Sequence, residues 1–485
     1  MIRQSLQIGV ILFVLVCGLF PAESPAGDLV APGWKRSFQA GYTDPAGHYA
    51  GGATIMHLAA HHGMLFAADA YWCDSRNIWY GGTDPTTGWA QILRLDKPGG
   101  IWVVDRELGR QFLRPEILKS VTFATDAAGR PLAQPVNLLL SAAFSPRLGT
   151  VEVALFTRDD ATGKWAKSIV YAGPKPKEQG EFSVRAMCVH RDKVTGVDRL
   201  FLSIGKLGIF SGVFDPAARG KVKWSSASET GPVETRPLAI TEANGDLVFS
   251  SGRKIYRRID GDKHSYQVIA DLSDIYPHEI ASPTGGARGL TAIANPAGKG
   301  QSLLFAMWTA TGRGPIFRLD PQPDGSYRRT REVALADLVS QYLPGVTVRG
   351  IGPAYNEFHA VTDPVTGKTL HLVSLEARIT AGKYRTWGDD GAAGFFAGSI
   401  IAIRDAAGKY SLTEVNGPAG ADKPPLVATY CFADSPFPQD HGQVIYFGGL
   451  DANSHPAHNL AWIFDTRLGD FLRAAASSKP AEERR

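Results

Sequence analysis

Four short segments open with arginine and pass through a small or cyclic residue to an apolar one: Arg185-Ala-Met, Arg236-Pro-Leu, Arg288-Gly-Leu and Arg349-Gly-Ile. A guanidinium presents a planar fork that grips a carboxylate, sulfate or phosphate through paired hydrogen bonds. Gathered together, these four would repel one another more strongly as water is excluded, and a bound anion would relieve that repulsion. The alternative is structural, each arginine pairing with its own strand's backbone or with a neighbouring acid.

Further chemistry lies in the segments that follow apolar strands. Asp69 to Tyr80 holds Tyr71 and Trp72, and a later segment holds Trp308 and Arg313. Glu376 to Ala397 carries Arg378, Tyr384, Arg385 and Trp387, and Gly448 to Asn459 carries Asn453, His455 and His458. Aromatic rings stack on pyranose faces, and histidine or tyrosine can move a proton. Tyr71, His455 and His458 are therefore the candidate catalytic residues. Arg185, Arg236, Arg288, Arg349, Trp72, Trp308, Arg385, Trp387 and Asn453 are the candidate contacts to an anionic carbohydrate or other small anionic ligand.

A repeat positions these residues. An apolar strand carrying Arg and Asp, a Gly turn and an aromatic strand recur, first as Ile92 to Asp96 before Gly99 and Trp102. Copies follow at Leu155 to Asp159 before Trp165, Ile255 to Asp260 before Tyr266, Ile316 to Asp320 before Tyr327, and Ile401 to Asp405 before Tyr410. Ile209 to Trp224 and Trp462 to Phe471 are looser copies. Alternation around Asp and Gly turns is hairpin chemistry. Two more strands precede each hairpin, the first beginning near Thr54, Asn137, Arg185, Arg236, Arg288, Arg349 and Thr429. The pattern predicts an all-β fold, a seven-bladed β-propeller of four-stranded antiparallel blades. Innermost strands line a propeller's axis, so the arginines are expected at one mouth of the channel. Gly33 to Ala40 is placed to complete the last blade and close the ring.

The first 26 residues read as a signal peptide: Arg3, an apolar run from Leu6 to Phe20, and Ser24-Pro25-Ala26 before the cut. The expected organisation is a signal at 1–26, one propeller at 27–473 and a frayed tail at 474–485, in a secreted or periplasmic monomer. No other run is long and apolar enough to span a bilayer. A net charge of +4 over 485 residues gives no reason to expect nucleic acid. Cys73, Cys188 and Cys431 remain after cleavage, an odd number, with Cys188 and Cys431 in apolar strand patterns that favour buried thiols. Phosphate-cradling glycine loops, dinucleotide fingerprints and HExxH helices are missing. His61 and His62 with His57 suggest a metal, but only His57 is expected to point up the channel. Axial Asp, Glu and Asn side chains could hold a calcium ion, although no DxDxDG-like loop supports one.

In blade count, export and an Arg/His/aromatic face, the chain resembles the exported seven-bladed propellers that include polysaccharide lyases acting on uronate polymers. The resemblance implies a site that neutralises a carboxylate, removes the adjacent proton with His or Tyr and protonates the leaving oxygen. It carries no lyase-specific motif, so no residue role is transferred. Three classes stay open: an enzyme on anionic carbohydrate, a non-catalytic binding or scaffold propeller, and a metal-centred lactonase-like or redox propeller.

Overall fold

The computed structural model describes residues 29–477 apart from 32–33, 72–73, 75–88, 110, 149, 175–181, 277–284, 309–312, 354–356, 381, 383, 385, 388–392, 397, 416–425 and 452–457. The expected signal peptide, and with it Trp72, Cys73, Arg385, Asn453 and His455, lies outside the described residues.

Seven four-stranded antiparallel blades form a propeller ring. Their innermost strands are Thr54–His61, Ile117–Thr125, Val184–Arg191, Pro237–Ala243, Gly286–Ala294, the pair Val348–Pro353 and His359–Thr362, and Leu426–Asp434. The ring closes as the N-terminal strand Trp34–Gln39 pairs antiparallel with Ala461–Arg467, giving the last blade its fourth strand. Trp34, Phe447, Trp462, Phe464 and Phe471 pack together at that seam, which replaces a free sheet edge with buried aromatic surface.

Two expectations need correction. Asn137 does not begin blade two; it lies in the second strand, Pro131–Leu148, opposite Thr122 of the true first strand Ile117–Thr125. The second strand's apolar run, buried from Leu138 to Leu140, imitates an innermost strand. Helix α2, Leu468–Ser477, also runs four residues into the expected tail and buries Phe471 and Ala475 under the last blade, while 478–485 lie outside the described residues. Helix α1, Leu335–Tyr342, fills the gap before blade six with Leu335, Val339 and Tyr342. Neither helix is long enough to cross a membrane.

In blades two, four and six the recurring Arg and aromatic residues prove to be clamps between blades. In blade two, Arg158 Nε (3.0 Å) and Trp165 Nε1 (2.7 Å) both donate to Asp105 of blade one. In blade four, Arg258 Nε (2.9 Å) and the Tyr266 hydroxyl (2.8 Å) donate to Glu229, which follows blade three. In blade six, Arg404 and the Tyr410 hydroxyl, each at 2.7 Å, donate to Glu332 of blade five. Each arginine is at most 4% exposed, and the guanidiniums of Arg158 and Arg258 also lie over Phe66 and Phe201. Charge-assisted bonds compensate the burial that an isolated guanidinium would resist.

Candidate functional site

At the opposite ends of the innermost strands, backbone bulges turn side chains into the mouth. The pairing slips between Ile55 and His57, Val184 and Met187, Pro237 and Ala239, Arg288 and Thr291, Val348 and Gly350, and Thr429 and Cys431. A bulge leaves its extra residue free to point away from the pleat, the usual device for re-aiming a side chain beside a site.

Three of the four sequence-predicted arginines are buried there: Arg185 (7% exposed), Arg236 (2%) and Arg288 (3%). Arg236 Nη1 donates to Ser183 Oγ at 2.5 Å, next to the strand start that carries Arg185. The Ser203 hydroxyl accepts the amides of Arg185 and Ala186 (3.1 and 2.9 Å), pinning that bulge. Arg288 lies 4.5 Å from the ring centroid of Trp308. Arg349 differs, for it stands exposed at the outer end of its strand.

Around Arg288 lie groups that the sequence had not singled out. Trp308 packs flat against the backbone of Gly352, where any Cβ would overlap the indole ring. Gly352 pairs with Glu376 in the antiparallel ladder of blade six. The hydroxyl of Tyr430, the extra residue of its bulge, donates to Glu376 Oε1. Burial pushes the Glu376 carboxyl up, against the opposing pull of Tyr430 and of the positive charge of Arg288.

Below the mouth, the axial channel widens into a cavity of about 410 Å³ lined by His57, Lys119, Arg185, Glu357 and His359 among apolar side chains. Lys119 Nζ reaches Glu357 at 3.4 Å across the channel. His57 Nε2 lies 2.9 Å from the Glu116 carbonyl, so it must donate there, leaving Nδ1 as the ring's acceptor. Burial first, then the charges of Arg185, Lys119 and Arg114, lower its pKa to about 4. At neutral pH this is an uncharged imidazole of fixed tautomer.

The remaining predicted residues are placed as follows. Tyr71 is 2% exposed, with its hydroxyl tucked beneath Gly51, and Asp69 is wholly buried under Gly52. Desolvation and the neighbouring Asp74 hold the Asp69 carboxyl well above the usual carboxylate range. His458 is half-buried, beside an Asn459 that contacts Gln39 and Tyr49. Trp387 belongs to a short strand, Thr386–Trp387, alongside blade six. Arg378 donates to the Ala393 carbonyl (3.0 Å) and lies over Phe395. Cys188 is half-buried and Cys431 buried, and both are free thiols with their pKa values pushed up by burial.

No family model matches the chain, and no curated protein matches it. Among solved structures it is similar to the GH93 α-L-arabinofuranosidase of Fusarium graminearum in complex with arabinobiose, at 12% identity and a TM-score of 0.36. That match covers 73% of this chain and 94% of the other. A second is the Trypanosoma rangeli sialidase in complex with 2,3-difluorosialic acid, a covalent intermediate, at 10% identity and a TM-score of 0.35. It covers 93% of this chain and 60% of the sialidase chain.

Proposed function

We propose that the mouth cleaves glycosides of carboxylate-bearing sugars. The observation that carries this reading is the Tyr430–Glu376 hydrogen bond beside buried Arg288 and Trp308. In the proposed arrangement Arg185, Arg236 and Arg288 receive the sugar carboxylate, and the Trp308 ring borders the pyranose. Most glycosidases attack with a carboxylate, but an anionic sugar would repel one, and tyrosine is the known exception. As the Tyr430 oxygen bonds to the anomeric carbon, its proton passes to Glu376 and the leaving group departs with the glycosidic electron pair. Water then attacks the anomeric carbon and displaces the tyrosine; the water gives up one proton to solvent, from which the departed oxyanion takes one, and the tyrosinate recovers its own proton from Glu376.

A second reading, β-elimination on a uronate polymer, is favoured by His57. A neutral imidazole with its Nδ1 lone pair available, in a cavity shared with Arg185 and Lys119, suits removal of a proton next to a neutralised carboxylate. One assay separates the two. Purified protein is offered aryl glycosides of uronic and sialic acids, whose leaving groups need no acid catalyst, and uronate polysaccharides. The first reading expects aryl release that falls about 10²-fold or more in Tyr430→Phe, with carboxylate-sugar binding retained. Unsaturated uronate, seen by its ultraviolet absorbance and lost in His57→Gln, would instead establish elimination. Neither product from any acidic glycoside would remove the enzymatic reading.

A further inference from the structure

At the rim opposite the mouth, a second cluster has no part in that chemistry. We propose that His61, His62 and Asp160 form a binding site for a divalent first-row transition ion of the zinc class, where blade one meets blade two. One ligand atom from each of the three side chains lies within 4.8 Å of the others. His61 Nε2 is 2.9 Å and His62 Nε2 3.4 Å from the same atom, Asp160 Oδ2. Around zinc, with bonds of about 2.0–2.2 Å, neighbouring tetrahedral donors stand roughly 3.3–3.5 Å apart, so little movement is needed.

Local structure brings the two histidines together. His61 ends the innermost strand and His62 follows in a tight hairpin turn, with φ of 46° at His62 and 73° at Gly63. Histidine in the left-handed region is uncommon, and here it sets the second imidazole beside the first, ring centroids 4.3 Å apart. Asp160 arrives from the third-strand turn of blade two. Arg158 Nη1 holds its Oδ1 at 2.8 Å, which leaves Oδ2 facing the histidines.

The hydrogen bonds around His61 orient its ring. Asn137 Nδ2 donates to the Val121 carbonyl (3.1 Å) and to Thr122 Oγ1 (2.9 Å), fixing its amide orientation. Its Oδ1 therefore accepts the Ser120 hydroxyl proton at 3.1 Å. With that single proton committed, Ser120 Oγ can only accept from His61 Nδ1, at 2.9 Å. The Nδ1 proton is thereby committed to Ser120, and Nε2 is the ring atom that faces the Asp160 carboxylate. A ring proton or a metal ion can close that contact, and His62 Nε2, facing the same carboxylate oxygen, is the second nitrogen donor that a metal ion would use. A hydroxyl on the rear nitrogen and an arginine on the far carboxylate oxygen are the outer contacts that orient metal ligands. Nitrogen donors favour zinc, nickel or copper over calcium.

His190, at the corresponding strand end of blade three, shows the contrast. It has Glu242 on Nδ1 and Asp260 on Nε2, with Arg191 where the second histidine would stand.

The test is calorimetric titration of tag-free, chelator-treated full chain with zinc chloride, paired with melting curves. One equivalent should bind and raise Tm, calcium should do neither, and His62→Gln or Asp160→Asn should weaken zinc binding at least tenfold. His62 is exposed, so its replacement leaves the fold intact. The proposal is overturned if zinc gives no heat and no Tm shift, as expected where a proton alone closes the contact. Unchanged zinc binding in His62→Gln overturns it equally, by placing the ion elsewhere.

Discussion

Arg258 and Arg236 are equally buried, at 2% exposed, yet they keep different company. Arg258, in a third strand, is closed on by Asp192, Glu229 and Asp260 at 2.6–2.9 Å. Arg236, at the start of an innermost strand, donates to the Ser183 hydroxyl among the residues that ring the axis. The first arrangement neutralises charge inside the fold and joins two blades. The second sets a buried guanidinium beside the strand start that carries Arg185. Burial alone therefore does not assign an arginine its role; the groups that share its desolvation do.

The largest effect is expected at the clamps. Arg258→Ala leaves three acids near one another without their cation and should cost roughly 3–5 kcal/mol of stability, read as a fall in Tm or in the denaturant midpoint. A loss below about 1 kcal/mol would mean that the clamps are ornaments of the repeat rather than joints between blades. At the mouth, Arg236→Ala should instead weaken binding of a carboxylate sugar by about tenfold or more, since a charge-assisted hydrogen bond contributes roughly 1.5–3 kcal/mol. Its melting shift should be smaller than that of Arg258→Ala, and Arg236→Lys should recover binding only in part because an ammonium lacks the planar fork. Equal melting shifts with unchanged binding would erase the distinction between the two regions.

A smaller effect should appear with pH. The folded-state pKa of His57 is lowered to about 4 from the ordinary 6.5, so its neutral form is the one the fold accommodates. Between those values the unfolded chain takes up a proton that the folded chain refuses. The stability associated with His57 is thus fully present above pH 6.5 and is lost as pH falls towards 4. His57→Gln should flatten that limb by an amount on the order of 1 kcal/mol, measured as Tm against pH. His371, lowered to about 4 by burial, should leave a residual slope. An unaltered pH profile in His57→Gln would show that the channel does not hold this imidazole neutral.

The clamps are also why so much of the fold was legible. An Arg one or two residues before an Asp, a Gly turn and then an aromatic mark the outer hairpin of a blade, and their recurrence counts the blades. Blade two misled because the apolar run at Leu138 to Leu140 is stronger than the alternating pattern of Ile117–Thr125. The mouth was legible only in its arginines. Arg185, Arg236 and Arg288 are buried around it, whereas Arg349 carries the same pattern but stands exposed. Tyr430 lies between Thr429 and Cys431 in a strand that reads as core, and only the bulge there turns its ring to Glu376. No local pattern of residue types announces that slip in pairing. Glu376 lies opposite Gly352, against which Trp308 packs, a placement that spacing along the chain does not encode. One signal was available: beside the slip in pairing, where four blades have arginine, the seventh offers a tyrosine.

The central claim, that the mouth receives a sugar through its carboxylate, is tested most directly by a charge-only comparison of ligands. Glucuronate, galacturonate and N-acetylneuraminate are each titrated calorimetrically against the wild-type chain at low salt, alongside their methyl esters. At least one acid should bind roughly tenfold or more tighter than its ester, as expected for a charge-assisted contact, and the preference should shrink in Arg288→Ala. Esters that bind as well as the acids, or a preference that survives in Arg288→Ala, would contradict the account.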